Sequence, residues 1–284
     1  MKLLKQFFDF YMDASIHVAL AVISLLYATD ILLNIPIDYH LNFFVFFGTI
    51  GAYNFVKYGV EAEKYMLVAL RYHKNIQIFS IICLIFATYH LSFLPKNSFI
   101  FLFFMLLLTS LYAIPVLPHT KNLRNLGGLK IFIVALVWAG TTVIFPAITE
   151  TIPISRDVLI ETFQRFLLVL ILMVPFEIRD LAYDMPELKT LPQLFGVTNT
   201  KIFASFAAML FYGLSFLKDT FLMIDLIGKG ILFLMLGLFI LLTNRNQSKY
   251  FASFWVEAIP IFWFGVLLVF KNFFKLLPLV YLSS

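Results

Sequence analysis

The chain has 284 residues, of which 62% are hydrophobic and 13% charged. Soluble domains are about a quarter charged, so a soluble globular class is excluded and a polytopic membrane protein is indicated. The formal net charge of +5 would suggest nucleic acid in a soluble chain. In a membrane chain it fits basic residues retained in cytoplasmic loops, and no nucleic-acid partner is expected. The one cysteine, Cys83, lies in an apolar run, so no intrachain disulfide can form and a redox role is not expected.

Lys2 and Lys5 could flank a signal peptide, but Asp9 and Asp13 follow, and the apolar run continues to Leu33 without a small-residue cleavage site. This reads as a retained first helix. A helix needs about twenty residues to span about 30 Å of hydrocarbon. Segments of that kind fall at 11–33, 41–60, 76–94, 98–117, 129–148, 158–178, 200–217, 223–243 and 252–270, nine in all. Open sheet cannot sit in lipid, so the fold class is all-α, a bundle of about nine transmembrane helices. No composition shift or linker divides it, and one integral membrane domain over 1–284 is expected. The 35 Phe residues should mostly face lipid or pack between helices. Tyr11, Tyr39, Tyr250 and Trp255 read as interfacial anchors rather than ligand contacts.

With the N-terminus inside, the inner segments hold Lys2, Lys5, Lys57, Lys64, Arg71, Lys74, Lys121, Arg124, Lys130, Arg179, Lys189, Lys201, Arg245 and Lys249. The outer segments hold Lys96, Arg156, Lys218, Lys229, Lys271 and Lys275, and Arg165 lies within a helix. Positive charge concentrates inside, which predicts a cytoplasmic N-terminus and an outer C-terminus, and a bacterial inner membrane as the setting. The loops after the second and sixth helices then share the cytoplasmic face.

The sixth segment ends in Pro175-Phe-Glu-Ile-Arg-Asp-Leu-Ala-Tyr-Asp-Met-Pro-Glu-Leu-Lys-Thr-Leu-Pro192, with Gly196 beyond. Glu177, Asp180, Asp184 and Glu187 crowd there in a chain otherwise poor in acid. On a helix Asp180 and Asp184 stand one turn apart on one face. Two such carboxylates can share a hard cation such as magnesium. Lys189 and Thr190 could hold an anion. A membrane helix ending in a solvated acidic loop explains the carboxylates equally well. The histidines show no HxxxH or HxH spacing, so a transition-metal or haem site is not expected.

The order Arg179, Asp180, Asp184, Lys189, Thr190, Leu191, Gly196 resembles the second aspartate-rich motif of the UbiA superfamily of intramembrane prenyltransferases. The family glycine before the lysine is Leu188 here. The first family motif should end the second helix. There Asn54 matches its leading asparagine, but Phe55, Tyr58 and Ala62 occupy the aspartate positions, Arg71 matches the later arginine, and Glu61 and Glu63 are out of register. Tyr112 and the Lys121, Arg124, Lys130 cluster match a third family region near the donor.

The resemblance implies a UbiA-like bundle with a cytoplasm-facing cavity. It implies transfer of a prenyl group from a prenyl diphosphate to an unidentified acceptor, in an impaired form given the degenerate first motif. Magnesium would sit on Asp180 and Asp184, and Arg71, Lys121, Arg124 and Lys189 would hold the diphosphate. Asn54, Tyr58 and Glu61 are further polar candidates, and no catalytic residue is assigned. Glu61 or Glu63 could replace the lost acids, Lys57 and Arg71 could supply positive charge directly, or catalysis could be lost. The alternative is a non-catalytic subunit of a larger membrane complex, with other membrane proteins as partners.

Overall fold

The structure, a computed structural model, describes residues 2–60, 71–113, 128–183 and 188–281. Eleven α-helices lie among the described residues. They are α1 (Lys2–Asp13), α2 (Ile16–Leu33), α3 (Tyr39–Asn54), α4 (Arg71–Leu91), α5 (Ser98–Ala113), α6 (Leu129–Ala139), α7 (Phe145–Thr149), α8 (Arg156–Asp180), α9 (Leu191–Gly213), α10 (Met223–Leu242) and α11 (Ile259–Tyr281). The described residues also include π-helical turns at Phe55–Val60 after α3, Gly140–Ile144 between α6 and α7, and Phe251–Val256 before α11. No strand occurs among the described residues.

Among the described residues seven stretches are long and apolar enough to cross a membrane: Ile16–Leu33, Tyr72–Leu91, Leu129–Thr149, Arg156–Asp180, Leu191–Leu217, Met223–Leu242 and Phe251–Phe273. The apolar α5 has 16 residues, and α3 reaches a comparable span only with its π-helical turn. Within the described residues each of the nine expected segments overlaps a helix, and seven of them are long and apolar enough to span. The outward faces are apolar: Ile85, Ile100, Phe103, Leu234 and Leu241 are all exposed. This is an integral membrane protein.

The first expected segment, 11–33, needs correction. Ser15 adopts φ 58°, a left-handed conformation that ends α1 and starts α2 at a new angle. α1 is a separate amphipathic helix, with Leu3, Leu4 and Phe7 exposed and Asp9 and Asp13 directed to a cavity described below. The junction is held by Asn54, whose amide donates to the Ala14 carbonyl at 3.0 Å and to Ser80 Oγ at 2.9 Å. The same side chain accepts from Ser15 Oγ at 2.7 Å.

Local signals place the other ends. Asp38 caps α3 by accepting the amides of His40 and Leu41 at 2.6 and 3.1 Å. Ser155 caps α8 through the Val158 amide at 3.3 Å. Gln193 reaches back to the Thr190 amide at 3.0 Å at the start of α9. α3 and α4 pack so closely that a side chain on Gly51 would collide with Leu84.

α8 is the centre of the bundle and packs against α6, α9 and α10. Leu168, Val169, Leu170, Ile171 and Val174 on it are buried in one continuous core with Leu25, Ile131, Ala204, Leu232 and Trp263. Its two ends carry different chemistry. Near its start, Glu161, Gln164 and Arg165 are buried. Arg165 Nη2 lies 3.0 Å from Glu161 Oε1. Lys218 and Lys229 reach Glu161 Oε2 at 2.8 and 2.7 Å and also pair with Asp225, each at 2.7 Å. Arg165 donates to the Leu25 carbonyl at 2.6 Å and lies over the Trp263 ring, 5.4 Å from its centroid. Lys218 and Lys229 are thus buried ion-pair members rather than loop charges, a correction to the reading of the outer segments.

Candidate functional site

The last turn of α8 lies 19 residues beyond Glu161, about 28 Å at 1.5 Å per residue, and it opens on a cavity. The cavity has a volume of about 1520 Å³ and runs between α1, α2, α3, α4, α5, α6, α8 and the start of α11. Its body is apolar, with Val22, Phe44, Phe103, Val137, Leu172 and Phe176 among the walls. One end is charged. Lys5, Lys57, Lys130, Arg179 and Lys249 bring positive charge, and Asp9, Asp13, Asp180 and Glu257 bring negative charge.

The π-helical turns shape this wall. A π-helical turn widens a helix by one residue and recurs at functional sites. The turn after α3 contributes Phe55, Val56 and Lys57, the one after α6 contributes Thr141, and the one before α11 contributes Ser253 with Glu257 directly following.

Several charges are already matched. Arg179 grips Asp180 in a two-pronged contact, Nε to Oδ1 at 2.7 Å and Nη2 to Oδ2 at 3.0 Å. The Arg179 guanidinium also sits 5.1 Å from the Phe176 ring centroid. Lys57 donates to the Asp13 carbonyl at 3.3 Å, and its Nζ lies 3.7 Å from Asp13 Oδ1. Tyr72 donates its hydroxyl to Asp13 Oδ2 at 2.9 Å. Lys249 lies 5.7 Å from the Tyr250 ring centroid.

The residues singled out from the sequence divide into groups. Asp180 lines the cavity, as does Lys57 from the end of the second expected helix, so the chain brings those two helix ends to one place. Lys189 is exposed with φ 42°. Its carbonyl lies 3.8 Å from where a side chain on Gly128 would begin, which sets the Lys189 loop beside the start of α6. Asn54 is buried, with its amide spent on the α1–α2 junction and α4. Tyr58 is buried too; its hydroxyl donates to the Asp13 carbonyl at 3.0 Å and its ring packs with Ala14 and Ile76. Arg71 begins α4. Glu61, Glu63, Lys121, Arg124 and Asp184 lie outside the described residues. Glu177, buried on α8, accepts the Leu191 amide at 3.2 Å and so braces the start of α9.

Sequence reasoning missed Glu257 and treated Tyr250 as an interfacial anchor; both line the cavity. It also missed the pairing of Glu161, Lys218, Asp225 and Lys229. The i,i+4 spacings Glu161–Arg165 and Asp225–Lys229 were the available signal, since residues so spaced share a helix face.

The described residues do not by themselves make a magnesium site. Among them no three carboxylate, histidine or cysteine side chains come together. Both oxygens of Asp180 are engaged by Arg179. What they do offer is a largely apolar cavity with five cations and four acids at one end, suited to an amphiphile with a charged head.

No protein-family model matches the chain, and no curated protein sequence does. A solved structure of digeranylgeranylglyceryl phosphate synthase in membranes matches it with a TM-score of 0.56 and 19% identity, covering 95% of this chain and 97% of that one. That enzyme is a UbiA-superfamily prenyltransferase. Nearly the whole of this chain is therefore built on the fold of a membrane prenyltransferase, the UbiA-type bundle that its second motif led us to expect.

Proposed function

We propose that this protein transfers a prenyl group from a prenyl diphosphate to an acceptor inside the membrane. The observation that carries the reading is the cavity of about 1520 Å³, apolar along its body and lined at one end by Lys57, Lys130, Arg179 and Lys249. A prenyl tail would bury its hydrocarbon against the apolar walls. The diphosphate would lie at the cationic end, where fixed positive charge in a water-poor site stabilises the negative charge that builds on the leaving group. Arg179 is suited to this by its planar fork of donors, which can pass from Asp180 to a phosphate oxygen. Arg71, Lys121, Arg124 and Lys189 are proposed to add to that end on the strength of the motif alone. The positive-inside pattern supports placing the charged end on the cytoplasmic side.

A second reading has its own observation. Tyr58, at a family aspartate position, is a packed structural residue, and Asp180 is closed by Arg179. A descendant that binds a lipid without chemistry, as a subunit of a larger complex, would look like this.

Binding and turnover of geranylgeranyl diphosphate by the purified protein separate the two, measured with and without magnesium. The transferase reading expects binding that weakens about tenfold or more in Arg179→Gln, on the scale of one charge-assisted contact, together with release of diphosphate when an acceptor is added. Binding without release under any acceptor favours the subunit. Absence of binding refutes both.

A further inference from the structure

We propose that Glu257 is the proton acceptor for a second substrate that carries a free hydroxyl, an inference that rests on the prenyl-transfer reading above. Glu257 ends the π-helical turn Phe251–Val256, and its amide reaches back five residues to the Ala252 carbonyl at 3.3 Å. The wide turn brings Glu257 to the cavity wall alongside Lys249, Tyr250, Ser253 and Pro260. Among the described residues its carboxylate makes no hydrogen bond or ion pair. Lys57, from the π-helical turn after α3, and Arg179 of α8 line the same cavity, as does Tyr53 of α3.

An ionisable side chain within a membrane bundle is costly, and one with no partner is kept for a ligand or a reaction. Glu257 itself can take a cation or a hydrogen-bond donor, and Lys57 and Arg179 already bring positive charge to this end of the cavity. That favours the neutral hydrogen-bond donor. Tyr53 lines the same cavity, and its oxygen accepts from Trp138 Nε1 at 2.7 Å.

The step balances. The acceptor hydroxyl donates its hydrogen bond to the Glu257 carboxylate, and its oxygen attacks C1 of the prenyl diphosphate. The C1–O bond to diphosphate breaks, and its electron pair leaves with the diphosphate. The acceptor proton passes to Glu257, which later releases it to water. The products are a prenyl ether and diphosphate. A hydroxyl is favoured over a carbon nucleophile because only the hydroxyl hydrogen-bonds to Glu257 before reaction and is positioned by it.

The test uses the full-length protein, geranylgeranyl diphosphate and three hydroxyl probes: a monoalkylglycerol, an alkylglycerol phosphate and a 4-alkylphenol. Each is run against its methyl ether. The expected result is ether formation with at least one hydroxyl probe and none with its methyl ether. Glu257→Gln should lower that rate about 100-fold or more, the usual scale of general-base catalysis, and Glu257→Asp should recover part of it. Binding of the unreactive thiolo analogue of the diphosphate should stay within about twofold in Glu257→Gln, which shows that the variant is folded. The wild-type rate should fall on acidification as the carboxylate is protonated, and that limb should vanish in Glu257→Gln. A Glu257→Gln variant that transfers at the wild-type rate, or transfer confined to carbon acceptors, overturns this inference and leaves the prenyl-transfer reading standing. A wild type that transfers to nothing overturns both.

Discussion

Glu161 holds three buried cations, and replacing it by glutamine removes the charge with little change of shape. In the wild type Arg165, Lys218 and Lys229 face Glu161 and Asp225, so the cluster carries one net positive charge. In Glu161→Gln the same three cations face Asp225 alone, and the net charge rises to two. Glu161, Arg165, Lys218 and Lys229 have side chains no more than 2% exposed, so water cannot relieve the excess. Breaking one partner out of a buried ionic group costs about 3–5 kcal/mol. A loss of that size lowers the melting temperature of a domain of this order by roughly 6 °C or more. The assay is thermal unfolding of the purified protein in detergent, with Lys229→Met and the double variant Glu161→Gln/Lys229→Met completing the cycle. Removing one cation with the anion restores the original balance, so the double variant should be more stable than the sum of the singles by about 1–3 kcal/mol. Lys218 sits outside the spans. Burial works against its charge, but Glu161 and Asp225 outweigh that and hold its ammonium above the ordinary lysine range. Its stabilising share is therefore full at neutral pH and is lost only as pH rises through that elevated value. Melting of Glu161→Gln within about 1 °C of wild type, or strictly additive variants, would refute the ionic account of this end of the bundle.

Three further outcomes are expected. Gly51→Val should destabilise the protein by about 1 kcal/mol, because a side chain there meets Leu84 and displaces it between α3 and α4; chemical denaturation measures it, and an unchanged midpoint counts against the close approach. Burial, with Asp38 adding to it, raises the Glu150 carboxyl above its ordinary 4.5. A raised value gives stability that is full below the unfolded value and lost as pH rises through the folded one. Glu150→Gln should therefore shrink the gain in melting temperature seen on acidifying from neutral pH to about 4, and an identical pH profile speaks against it. In a Cys83→Ser background, Lys189→Cys should be labelled by an impermeant thiol reagent only after the membrane is opened, and Asp219→Cys from outside intact cells; the reverse pattern inverts the topology.

The membrane class, the all-α fold and the positions of the spans were legible in the sequence because each depends on about twenty consecutive residues being apolar, a local property. The string from Arg179 to Gly196 suggested, by resemblance alone, the fold that the structure shares with a membrane prenyltransferase. Local patterns could not say which helix ends meet, or which charges find partners. Lys218 and Lys229 read as ordinary outer charges until α8 and α10 placed Glu161 and Asp225 against them. Asn54 matched a motif, yet packing turned its amide to Ala14, Ser15 and Ser80. The break at Ser15 lies inside an apolar run with no proline or glycine to announce it. Glu257 sits among aromatic residues in the last span, and only the three-dimensional path of the π-helical turn brings it to the cavity beside Lys57 and Arg179. For the ion pairs and for Asn54 the deciding energy is a contact between residues far apart in the chain, between α8 and α10 or α2 and α3, and such contacts exist only once the helices have packed.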